Sequence, residues 1–241
     1  MFLLLCSLKL AVAQEAAWVA DASVEQAAAA WSEALSRRGL TVHPVSPIPN
    51  DHPALPNTLT VTFEGDAIVR ARAVPTRGSV QLTRTGWDQV EATLLVDPPR
   101  TPPWAPKARA SLFAALPGEA QAALRGLDLT RPGPEPDALL GDPARCLARV
   151  AEFDASPIPE AKEALRLGLE TAPKPCHRAL LTSLLRDPGM KAPVSAWIVA
   201  RYHAAPAEER AHYVALGFMV SEPDAALEAV FDAEDERLSG E

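Results

Sequence analysis

The chain has 241 residues, of which 31 are acidic and 23 are basic, giving a formal net charge of −8. Its 48% hydrophobic and 22% charged residues are typical of a folded protein, which excludes a wholly disordered chain and a multi-pass membrane protein. The acidic balance argues against a general nucleic-acid-binding protein, because such a protein needs a basic face to neutralise phosphates. We therefore expect no nucleic acid among its partners.

The first segment, residues 2–13, is an apolar stretch that ends in Ala11-Val12-Ala13. It is too short to cross a bilayer, and its small-x-small ending is typical of a secretory signal. We predict a signal peptide over residues 1–13 and a periplasmic or secreted protein with no integral membrane segment after cleavage. Because Lys9 interrupts the stretch, a cytosolic N-terminal helix and an uncleaved anchor stay open as alternatives.

Residues 21–38 have the pattern of an amphipathic helix. Either Asp21 serves as the N-cap, or Ser23 forms a capping box with Gln26, and Gly39 follows as a stop signal. Four apolar residues recur at four-three-four spacing and form one stripe: Val24, Ala28, Trp31 and Leu35. We expect this stripe to cover the apolar face of a sheet.

The sheet is predicted because the spacing of apolar residues changes, further along the chain, from a helical period to alternation with polar residues. Four segments alternate apolar and polar residues and are separated by turn sequences, namely residues 58–63, 67–74, 79–85 and 89–96. They predict a four-stranded antiparallel meander with one apolar face, and a further short strand is expected at residues 40–45. The helix packed on this meander makes an α+β domain over residues 18–97.

A proline-rich segment, residues 98–106, is predicted to be a stiff linker between that domain and an all-α helical domain over residues 107–241. Residues 105–116 and 118–127 are its first two predicted helices. Further helix starts are expected at prolines, because proline is tolerated in the first turn: Pro143, Pro157 or Pro159, Pro173 or Pro175, Pro193, Pro206 and Pro223. Intervals of 30 residues from Pro143 to Pro173, and 33 to Pro206, suit a helix-hairpin repeat, although an irregular bundle fits equally well.

Two cysteines, Cys146 and Cys176, remain after the predicted cleavage. An even count in an exported protein favours one disulfide, which would join the first turns of equivalent helices in neighbouring repeats. Two buried free thiols are the alternative.

Several polar residues are candidates for chemistry. His43, Asp51 and His52 flank a proline-rich loop and suggest a metal or acid–base site, although their spacing matches no specific metal motif. The alternative is that they are ordinary loop residues.

A second group of candidates suggests binding. On the open face of the sheet we expect Arg70, Arg72 and Arg84. They are either a strip that binds an anionic ligand or ordinary solvated residues. Trp104 is either a packing anchor or an exposed recognition residue.

The whole net charge lies in residues 205–241, which have ten acids and two bases. This charge suggests a solvated terminal helix or a patch for a basic partner.

No motif of a hydrolase, kinase, P-loop or dinucleotide-binding protein is present in the sequence. We therefore predict an exported, non-catalytic binding or assembly protein of the cell envelope, with a helical surface for a protein partner and no cofactor. One alternative is a hydrolase-like enzyme whose site is assembled from scattered residues around the loop of residues 43–52. The other is a purely structural spacer.

Overall fold

The computed structural model describes residues 13–43, 52–69, 71–97, 105–127 and 136–239. Contacts divide the chain into two units, Met1–Arg131 and Pro132–Glu241. The described residues form one five-stranded antiparallel sheet and eight α-helices. The mixed helix and sheet class is therefore confirmed. The four strands predicted over residues 58–96 are three in the structure, and strands at Ala13–Asp21 and Thr41–Val42 complete the five.

The first unit contains the whole sheet. Its elements in chain order are β1 (Ala13–Asp21), α1 (Val24–Arg37), β2 (Thr41–Val42), β3 (Thr58–Val69), β4 (Arg72–Gly86), β5 (Gln89–Val96) and α2 (Ala105–Leu124). The strand order is β1-β5-β4-β3-β2, so the first strand pairs with the last one.

The predicted helix over residues 21–38 is α1. Ser23 is its N-cap and forms the capping box with Gln26. The backbone nitrogen of Gln26 lies 3.1 Å from Ser23 Oγ. All four residues of the predicted stripe are buried against the sheet. Trp31 packs edge-on against Trp18 of β1, with ring centroids 5.8 Å apart.

Two of the predicted turns are wrong. Residues 64–66 lie inside β3 and residues 75–78 lie inside β4, because these strands pair over their whole length from Thr58–Thr83 to Val69–Arg72. The backbone amide of Arg84 donates to Asn57 on the β3 side of β4. Amides alternate sides along a strand, so the nitrogen of Pro75 faces the other side, where β5 pairs with β4 only from Gly78 onward. The chain reverses instead before Arg72.

The strand that was not predicted is β1. Its sequence, AQEAAWVAD, is rich in alanine, which has a low intrinsic preference for strands. Pairing with β5 along most of the strand imposes the extended conformation from outside the segment. The predicted signal peptide lies outside the described residues except for its last residue, Ala13.

The predicted helices over residues 105–116 and 118–127 are one helix, α2, which contains Pro117. Apolar residues at helical spacing continue across the proline and are buried in the same core as α1: Leu112, Phe113, Leu116, Ala120 and Ala123. This packing places α2 in the first unit, whereas residues 107–127 had been assigned to the helical domain. The predicted linker lies outside the described residues up to residue 104.

The second unit is helical throughout its described part. Its α-helices are α3 (Cys146–Asp154), α4 (Ala161–Gly168), α5 (Lys174–Leu184), α6 (Lys191–Ala204), α7 (Ala207–Gly217) and α8 (Ala225–Ser239). Each begins within three residues of a proline at which a start was predicted, and Pro173 and Pro206 are themselves N-caps. Proline fixes the backbone angle that the first turn needs.

Successive helices of this unit pack in an overlapping pattern. Helix α3 packs against α4 and α5, α5 packs against α6 and α7, and α8 packs against both α6 and α7. Each helix therefore contacts its neighbour in sequence, and several contact the helix after that one. Among the described helices of both units, none is long and apolar enough to cross a membrane.

The two cysteines meet at the start of this unit. Cys146 and Cys176 are buried and lie at disulfide distance, with Cα atoms 6.3 Å apart. They occupy the first turns of α3 and α5, as expected for equivalent helices of neighbouring hairpins. The predicted pair is therefore within bonding reach.

Candidate functional site

A cleft of about 300 Å³ opens on the solvent face of the sheet in the first unit. His43 Nε2 lies 3.4 Å from Glu64 Oε1, and Arg77 Nε lies 3.5 Å from Asp97 Oδ2. These four side chains are 45–73% exposed. Because water screens charges at such exposure, each of these two ion pairs contributes little to stability.

The second predicted histidine has a different environment. His52 is buried, and its Nδ1 accepts a hydrogen bond of 3.1 Å from the amide of Ala54. Its ring packs edge-on against Trp87, with centroids 5.3 Å apart. His52 therefore holds the loop together.

The structure does not bring the two histidines to one site. His43 lines the cleft beside Gly78 on β4, whereas the backbone carbonyl of His52 accepts a hydrogen bond from Arg84, six residues along the same strand. Six residues of a strand span roughly 20 Å, so Gly78 and Arg84, and with them the two histidines, lie far apart. Asp51 lies outside the described residues, and no group of three potential metal-binding side chains occurs among the residues that are described.

The predicted arginine strip is also divided. Arg72 is exposed at the start of β4, but Arg84 is buried on the covered face, where its Nη1 donates to the carbonyl oxygens of His52 (2.7 Å) and Leu55 (3.3 Å). Arg84 thus anchors the loop and is not part of an open face. Arg70 and Trp104 lie outside the described residues.

A serine–lysine pair in the second unit is the arrangement closest to a catalytic one. Lys162 Nζ lies 2.9 Å from Ser183 Oγ and 2.9 Å from Asp154 Oδ1, and the serine hydroxyl donates to the same carboxylate at 2.6 Å. The hydrogen bond from Ser183, with help from Lys162, lowers the pKa of Asp154 to about 2. Ser183 is buried, and the three side chains come from three different helices, so this cluster clamps α3, α4 and α5 together.

Two histidines connect α5 to α7. His177 Nε2 lies 3.0 Å from the carbonyl oxygen of Ala172. Because a carbonyl oxygen can only accept a hydrogen bond, Nε2 is the nitrogen that has the proton. His177 Nδ1 is then the acceptor for His212 Nε2–H at 3.1 Å. Burial lowers the pKa of both histidines, so the pair is neutral at pH 7 and serves as a packing contact.

Helix α8 is attached to α6 by two polar contacts. Ser195 Oγ donates to Asp224 Oδ2 at 2.7 Å, and the hydroxyl of Tyr202 donates to Glu234 Oε2 at 3.1 Å. Glu234 is buried and also bound by Arg237, which lowers the pKa of its carboxyl group. These contacts fix the inner side of α8 and determine which side faces solvent.

Beside this inner side lies an aromatic pair with one exposed and one half-buried ring. Phe218, just after α7, is 73% exposed and stacks on Phe231 of α8 with centroids 4.7 Å apart and rings 5° from parallel. Gly217 makes this approach possible, because a Cβ there would lie 2.7 Å from the ring of Phe231. An aromatic ring this exposed adds little to the stability of its own unit, so it is a candidate contact for another molecule.

The pair continues into a stripe along α8. Phe231 and Leu238 are seven residues apart on one side of the helix, and Glu228 and Asp235 lie beside them at spacings of three and four. Leu238 is 57% exposed. Neither Glu228 nor Asp235 has a side-chain partner in the described part of the chain. We name these four residues, together with Phe218, the aromatic–acidic stripe.

The acidity of this region stands out in the sequence, but its exposed apolar residues do not. Phe218 occurs in the run Leu216–Val220, which resembles the end of a buried helix. Its exposure depends on where α7 ends and α8 begins. A usable signal was the seven-residue spacing of Phe231 and Leu238 with acids between them, since a buried stripe rarely includes unpaired acids.

Family models, curated proteins and solved structures were all compared with this chain, and none of the three comparisons gives a match.

Proposed function

We propose that this chain is an exported, non-catalytic binding protein of the cell envelope, and that its helical unit presents a surface to a protein partner. The observation that carries this proposal is the exposure of Phe218, stacked on Phe231 at the edge of the last two helices. Large exposed aromatic side chains at a fixed position are characteristic of protein interfaces.

The arrangement of the helices supports a short array of three hairpins, α3–α4, α5–α6 and α7–α8. Contacts between them join residues about one hairpin apart in sequence, at separations of 29 to 35 residues: Cys146–Cys176, Asp154–Ser183, Ser195–Asp224 and His177–His212. Stacked repeats produce this regularity, and such arrays use an extended outer surface for binding.

Export is supported by the cysteine pair. Disulfides form and persist in oxidising compartments, and both available cysteines of the described residues are paired in the structure. The polar clusters of the helical unit also support a binding role. Their side chains form hydrogen bonds to one another across neighbouring helices and so hold the helices together. The cleft on the sheet, by contrast, has no buried reactive group among its described lining residues.

Two experiments test the proposal. Intact-mass measurement of the protein from its producing cell should give a chain that begins at Gln14, with no thiol free to alkylate before reduction. Affinity capture from the envelope fraction should retain a partner on the wild type and on Leu147→Ser, a matched exposed apolar position on α3. Phe218→Ser should lose that partner. Retention of the same proteins by the wild type and both variants would contradict the proposed surface.

A further inference from the structure

The aromatic–acidic stripe has a chemistry that restricts what can cover it. Its apolar members, Phe218, Phe231 and Leu238, offer anchoring contacts, and its two acids have no base to neutralise them among the described residues. Helix α8 contains five acids and a single base, Arg237, which is bound to the buried Glu234.

A second copy of this chain does not suit the stripe. Packing one stripe on another would place Glu228 and Asp235 against the same two acids of the copy. Like charges brought together in a partly desolvated contact oppose association. The complementary occupant is a cationic one.

The spacing of the stripe points to a helix. Phe231 and Leu238 are seven residues apart, which is roughly 10 Å along the axis of α8. A second helix with apolar residues at the same interval, and lysine or arginine beside them, would match both the anchors and the charges.

We infer that the stripe binds a cationic amphipathic helix of another protein, which packs along the outer side of α8 between Phe218 and Leu238. This inference rests on the proposed binding function and names the class of partner. The partner helix would extend the stack at the end of the array. Its apolar residues would cover the stacked phenylalanines, and its basic residues would pair with Glu228 and Asp235.

The test is a selection from a library of displayed random peptides, each about 16 residues long, against the full chain. We expect the enriched peptides to be cationic, with apolar residues at helical spacing. These peptides should bind Phe218→Ser about tenfold more weakly than the wild type, or worse. They should also bind more weakly to the double variant Glu228→Gln with Asp235→Asn, and more weakly when salt is added. Leu147→Ser is the control and should bind like the wild type. Because Phe218 is mostly exposed, thermal unfolding should show that its variant stays folded.

The outcomes separate the two claims. Peptides that depend on Phe218 but have no excess of basic residues would overturn the cationic partner and leave the binding surface in place. Peptides that bind equally well to Phe218→Ser would overturn both claims at this surface. A selection that enriches nothing above the protein-free control would also count against both.

Discussion

Breaking the Cys146–Cys176 link should destabilise the helical unit and leave the sheet unit unchanged. The two cysteines are separated by 30 residues, so a bond between them restricts a loop of that length in the unfolded chain. Loop-closure entropy for such a loop corresponds to about 3–4 kcal/mol at 25 °C. Because single domains are stable by only about 5–15 kcal/mol, a loss of this size is easily measured.

The assay is urea-dependent hydrogen exchange read by mass spectrometry, which follows peptides from each unit separately in one sample. With an m-value of about 2 kcal/mol per molar urea, reduction should lower the midpoint of the helical unit by roughly 1.5–2 M. Peptides from the sheet unit serve as the internal control and should keep their midpoint.

A double variant, Cys146→Ala with Cys176→Ala, completes the design. Both positions are buried, and alanine avoids placing an unsatisfied hydroxyl group there. This variant should be as unstable as the reduced wild type or slightly more so, and it should not respond to reductant. The reasoning is refuted if reduction frees both thiols without moving the midpoint of the helical unit.

Three further predictions test other features of the two units. Gly78→Ala should lower the unfolding free energy of the sheet unit by about 1–3 kcal/mol, because the new Cβ would lie 2.4 Å from a backbone carbonyl oxygen of β5. Gly118→Ala in α2, where nothing lies within 4 Å, is its control and should gain about 0.5–1 kcal/mol in a thermal melt; equal effects would contradict this explanation. The stability of the helical unit should fall as the pH drops below about 6.5 in urea titrations, because the unfolded chain takes up protons that buried His177 and His212 resist; a flat profile from pH 7 to 5 would contradict it. Phe218→Ser should change the thermal stability by less than about 1 kcal/mol, and a larger loss would show that the ring serves the fold.

Local signals predicted the helices well. The capping box of Ser23 and Gln26, and the prolines before the helices of the second unit, act within one turn of the backbone, so they can be read directly from the sequence. The exception is Pro117, which α2 accommodates because burial of its apolar side on both sides of the proline outweighs the lost hydrogen bond.

The sheet and the surface depend on distant contacts. Strand β1 is extended because β5 pairs with it, and Arg84 is buried because the loop after His52 offers carbonyl acceptors. Neither partner is close in sequence, so a single sequence gives no sign of either contact. The exposure of Phe218 likewise follows from the end of α7 and the path of α8, which tertiary packing determines.

The most direct measurement is site-specific photo-crosslinking in the producing cell, with benzoylphenylalanine in place of Phe218 or, as the control, Leu147. Both positions are exposed apolar residues of the helical unit, at 73% and 57% exposure. We predict a discrete adduct with a partner protein at position 218, weaker with Glu228→Gln and Asp235→Asn, and no such adduct at 147. No adduct at position 218, or the same adducts at both positions, would contradict a binding function for this surface.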